Sequence, residues 1–182
     1  VEPAPVVRGP LTFIHPGVDG AGDGFFEWYN AGKYEIRRAS GEMAGRTPLF
    51  STVFYGFDYD AIYIRMDPLA IPSQTVEQRL QRVQVQLVLD EERERWVEIS
   101  LPSPVAVKAQ GASGDPESIQ VAFKRILEVA VPFSLFDFQR GTPLSVTILV
   151  VRDGHFIEKY PQRGTFEITV PSENWDKMQW IV

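Results

Sequence analysis

Apolar and polar residues alternate with a period of two over most of this chain, and short turn signals break the alternation every few residues. Val83 to Leu89, VQVQLVL, places Val83, Val85, Leu87 and Leu89 on one side and Gln84, Gln86 and Val88 on the other, the pattern of a strand with one buried face. The same reading predicts strands over Leu11–His15, Pro48–Phe57, Ala61–Asp67, Arg95–Leu101, Ile119–Phe123, Ile126–Pro132, Leu144–Val151, His155–Tyr160 and Thr165–Val170. Asp153-Gly154 reads as a two-residue hairpin turn, and the polar run Asp90 to Arg95 as a solvated hairpin tip. Helical signals are few. Thr75 to Gln78 has the spacing of a capping box ahead of Val76, Leu80 and Val83, and SLFDF after Phe133 suits a single helical turn. Roughly ten short strands with one or two short helices predict an all-β fold, an antiparallel β-sandwich.

The stretch Val18 to Ile36 is the least regular and the richest in rings. Asp19-Gly20, Gly22 and Gly24 suit tight turns, and Phe25, Phe26, Trp28, Tyr29 and Tyr34 follow on what reads as an aromatic strand. Residues 1–10 hold three prolines and read as an extended lead-in, so a single domain is expected over residues 11–182. The Val1 start points to a processed product or a piece of a longer polypeptide. At 182 residues, 44% apolar and 23% charged, the composition is that of one ordinary globular domain.

Composition also narrows the function. A net charge of −6 argues against nucleic acid, which needs clustered Lys and Arg. With no cysteine there is no disulfide and no thiolate metal site. A cysteine-free chain fits a reducing, cytoplasmic setting and fits a secreted domain as well. No run is long and apolar enough to span a bilayer, so no membrane partner is expected. No GxSxG, HExxH, phosphate-binding loop or complete dinucleotide fingerprint is present.

Strand parity selects the candidate binding residues. If Val97, Ile99 and Leu101 face the core, Trp96 and Glu98 face out together, and an indole beside a carboxylate suits a sugar, stacking on its C–H face while accepting its hydroxyls. Covering about 100 Å² of ring at roughly 25 cal/mol/Å² is worth about 2.5 kcal/mol. On the Ala61–Asp67 strand, Tyr63 and Arg65 share the face opposite Ile62, Ile64 and Met66 and extend the favoured set; Tyr29 and Tyr34 form a second set. Tyr63 packed under a second layer, with Arg65 solvated, is the competing reading. His15 is expected as a partly buried strand-end residue. Asp19, Asp23 and Gly24 match part of a calcium loop, but Ala21 and Asn30 stand where ligands are required, which rejects an EF-hand and leaves a looser site at Asp19 and Asp23.

The order VDG, FEW, AG, YGFDYDAIYIR, ILEVAVP and FEITVP, closing on Trp180, resembles the C-terminal β-sandwich domain of some family-57 glycoside hydrolases, itself similar to family-9 carbohydrate-binding modules and the DOMON-like group. The resemblance spans about residues 11–182. It implies a non-catalytic accessory domain of an enzyme acting on α-glucans or related polysaccharides, with two partners: an oligo- or polysaccharide, and the catalytic domain of the parent chain. No cofactor is required, but structural calcium in the family-9 modules extends the calcium expectation to Asp58. Two other readings stay open, a purely structural domain packing on a catalytic barrel and a stand-alone glycosidase, which needs only two suitably spaced carboxylates.

Overall fold

The computed structural model describes residues 7–24, 26–36 and 47–174. Phe25, the expected turn around Ala39 to Gly45, and both Trp175 and Trp180 lie outside the described residues. Within them the chain is an antiparallel β-sandwich, as its periodicity predicts. One sheet joins β1 (Val7–Arg8), β2 (Gly32–Glu35), β3 (Phe50–Phe57), β4 (Ala61–Pro68), β9 (Leu127–Pro132) and β8 (Gln120–Phe123), in that spatial order. The other runs β11 (His155–Tyr160), β10 (Pro143–Arg152), β5 (Val83–Asp90), β6 (Arg95–Ser100) and β7 (Ala106–Gln110), with β12 (Phe166–Thr169) also paired to β10.

Alternation explains why these strands form two layers. Ile62, Ile64 and Met66 from β4 and Val129 and Val131 from β9 meet Val85, Leu87, Val97, Ile99, Val146 and Ile148 from the second sheet in one buried core. Helix is confined to α1 (Val76–Arg79) and two single 3-10 turns, Pro116–Ser118 and Phe133–Phe136. The capping box at α1 is present, with Thr75 accepting from the Gln78 amide and the Gln78 side chain accepting from the Thr75 amide. No helix among the described residues is long and apolar enough to cross a membrane.

Two expectations fail in the segment before β3, for one reason. Leu11–His15 is not a strand, and the aromatic strand shortens to β2, because residues 26–30 coil into turns closed by Glu27→Gly24, Tyr29→Phe26 and Ala31→Trp28 backbone bonds. This segment lies over the outer face of the first sheet as a partial third layer. Ile14, Trp28 and Ala31 form a second buried cluster there, with Phe54 and Tyr63 packed against it. Val7–Arg8 pairs with β2, and Ala106–Gln110, AVKAQ, too weakly apolar to signal a strand in sequence, pairs with β6.

Candidate functional site

Glycine is what lets the third layer approach. Gly56, within β3, has its missing side chain replaced by Ile14, whose Cδ1 would stand 2.6 Å from an added Cβ. Gly20, at φ 73°, rests on the β8–β9 hairpin, where a Cβ would stand 2.9 Å from the Lys124 amide nitrogen. Its carbonyl accepts from the Arg125 and Ile126 amides at 2.9 and 3.1 Å.

Under this layer sits the most deeply buried carboxylate among the described residues. Glu128 of β9 is only 2% exposed, and its two oxygens accept from the Gly20 amide at 2.8 Å and the Trp28 indole at 3.0 Å. Arg65 lies directly across the β4–β9 ladder but turns to Asp67, at 2.7 and 3.1 Å, and covers the Phe54 ring. Burial without a countercharge raises the Glu128 carboxyl above the usual glutamate range. Asp19 beside it is lowered, chiefly by the Ala21 amide it accepts from.

The structure separates the favoured residues. Tyr63 and Arg65 leave the outer face of the first sheet, whereas Trp96 and Glu98 leave the outer face of the second, with the whole core between them. Tyr63 is the packed residue of the competing reading, half-buried and donating its hydroxyl to Asp58 at 2.6 Å; burial and that bond hold its phenol well above the usual tyrosine value. Arg65 is ion-paired rather than solvated. Tyr34 is corrected as well: it is a core residue, edge-on to Phe166 and accepting from the Gln162 amide, while Tyr29 is 62% exposed, so they form no common set.

The three candidate calcium ligands are also apart. Asp58 caps the β3–β4 hairpin, accepting from the Asp60 and Ala61 amides at 2.8 Å each, from Tyr63, and facing His15 at 3.3 Å. His15 itself is exposed and off any strand. Asp19 serves the Ala21 turn, and Asp23 is exposed. Among the described residues no three His, Cys, Asp or Glu side chains converge.

What remains open is the outer face of the second sheet. Val97, Ile99 and Leu101 are buried, as parity requires, and Trp96 and Glu98 are turned outward, Trp96 partly buried and the Glu98 side chain 15% exposed. Cross-strand register extends the face sideways. Thr147, Val88, Trp96 and Gln110 form one row, Leu149, Gln86, Glu98 and Lys108 the next, and Val151, Gln84, Ser100 and Ala106 a third. Glu98 is held from both sides, accepting from Gln86 Nε2 at 3.1 Å and facing Lys108 Nζ at 3.8 Å. A ring edged by fixed acceptors and amide donors can cover an apolar sugar face while bonding its hydroxyls. The Gln84 and Gln86 alternation was visible in sequence, but their place beside Glu98 depends on register.

No protein-family model matches this chain, and no curated protein matches it. Among solved structures it is similar to a family-9 carbohydrate-binding module from Caldicellulosiruptor kristjanssonii in complex with cellotriose, at TM-score 0.51 and 14% identity, over 92% of this chain and 96% of that one. A family-9 module from the same organism in complex with glucose aligns at TM-score 0.48 and 14% identity, over 81% of each chain. At this identity the likeness is one of fold.

Proposed function

We propose that this domain is a non-catalytic carbohydrate-binding module and that the outer face of its second sheet, centred on Trp96, is the sugar contact. The observation that carries the reading is the row arrangement: an outward indole next to a Glu98 held by Gln86 and Lys108, on a sheet face that carries no buried apolar cluster among the described residues. The fold shared with a module in complex with cellotriose supports it. The resemblance to the C-terminal domain of family-57 glycoside hydrolases adds a larger polysaccharide-processing parent and an α-glucan target, whereas cellotriose is β-linked. Isothermal titration with maltotriose, cellotriose, starch and xylan therefore tests both linkages.

Trp96 keeps about a third of its surface exposed at most, so of the about 250 Å² of a tryptophan side chain no more than about 80 Å² is left to cover, worth up to about 2 kcal/mol or about a thirtyfold change in Kd. Trp96→Ala is expected to weaken the best ligand by about that factor without altering the circular dichroism. Failure of every glycan to give saturable heat would refute the reading. A second reading, a scaffold that packs on another domain, is favoured by the exposed rings Phe26 (84%) and Tyr29 (62%) on the third layer.

A further inference from the structure

At the end of the sandwich where β5 begins and β10 finishes, an open depression of about 350 Å³ lies between the start of β3, α1 and the β10–β11 turn. Its wall carries three guanidinium groups, Arg79, Arg82 and Arg152, with the side-chain amides of Gln74, Gln78 and Gln81, and no carboxylate among the described residues. In a chain of net charge −6 this is a local excess of positive charge. Arg79 is 7% exposed, and its terminal nitrogens donate to the Leu69 and Pro48 carbonyls; Arg152 donates to the Arg79 carbonyl. Carbonyls accept hydrogen bonds but do not cancel charge. Neither cation has a carboxylate partner among the described residues.

Two nearby acids reduce that excess, but neither is paired with Arg79 or Arg152. Asp153 meets Arg82 at 3.5 Å, with the two side chains 48% and 72% exposed, so water and salt screen the pair. Glu158 is held by the Leu49 amide and the Tyr160 hydroxyl. Arg82 also keeps a φ of 60°, a left-handed conformation that glycine or asparagine adopts more readily, although no packing demands a long side chain there.

We infer that this depression is an oxyanion site, taking a carboxylate or sulfate either as a free ion or on an acidic sugar, with Arg82 and Arg152 as its charged donors. Planar guanidinium groups bind both anions through paired hydrogen bonds, and the volume suits one sugar-sized unit. The inference does not rest on the Trp96 face, because inorganic sulfate has no ring to stack.

The test is titration at constant ionic strength, balanced with chloride, using sodium sulfate and digalacturonic acid in separate arms, read by calorimetry and amide chemical shifts. Saturable binding is expected with shifts around residues 79–82 and 152–154. Arg82→Gln should weaken it about tenfold, the usual scale of one charge-assisted hydrogen bond. Asp153→Asn, which keeps a left-handed turn residue while freeing Arg82, should strengthen it several-fold. Sulfate binding alone identifies a free anion as the ligand, and digalacturonate binding identifies a saccharide-borne one. Absence of saturation in both arms, or unchanged affinity in the Arg82→Gln protein, would overturn the inference.

Discussion

Replacing Glu128 by glutamine isolates the contact that fastens the third layer to the first sheet. The wild-type carboxyl gives one acceptor to the Gly20 amide and one to the Trp28 indole. Either protonation state can serve both donors, since a carboxylic acid keeps a lone pair on each oxygen. A glutamine cannot, because its nitrogen must face one of the two N–H groups. One buried N–H is then left without an acceptor, at about 1–3 kcal/mol, or roughly 3–9 °C in Tm for a domain of this length. Glu128→Ala strands both donors and should cost more.

The pH dependence has a definite sign. The Glu128 carboxyl is raised in the folded state, so its contribution to stability is fully present below the ordinary glutamate value and is lost as pH rises through the raised one. Asp19, lowered, acts in the opposite sense, its contribution present above the ordinary aspartate value and lost as pH falls through the lowered one. Urea denaturation of wild type and Glu128→Gln at pH 4.5 and 7.5 should therefore show a larger deficit for the variant at the acid end. A variant as stable as wild type at both values would mean that burying the charge costs as much as the lost bond returns, and would refute this account of the contact.

Two further substitutions probe the same layer. Gly20→Ala forces a Cβ onto the Lys124 backbone at a left-handed φ, and should cost more than about 2 kcal/mol in urea melts. Tyr63→Phe removes the 2.6 Å bond to Asp58 and should cost about 1.5 kcal/mol while leaving sugar affinity unchanged. A fall in affinity there would return Tyr63 to the binding site.

The two strands that supplied the candidate site show what the sequence could and could not disclose. In β6 and β4 alike, parity separates the core residues from the outward ones correctly, because one buried face imposes the two-residue period whatever lies beyond the strand. Parity is silent on which sheet a strand joins, so Tyr63 with Arg65 and Trp96 with Glu98 carry one signature while leaving opposite sides of the molecule. Leu11–His15 misled for a related reason: β-prone residues pack equally well when a segment merely lies across a sheet, its backbone tied by single bonds such as Ile14 to Phe57. A readable sign of that covering layer was nevertheless present. Gly56 stands directly opposite Tyr63 in the β3–β4 ladder, inside the strand rather than at its turn, and Ile14 occupies the space its side chain would fill. A glycine within a strand marks close approach by another part of the chain. The runs VQVQLVL and RWVEIS contain none, and the outer face they build together carries no buried apolar cluster among the described residues.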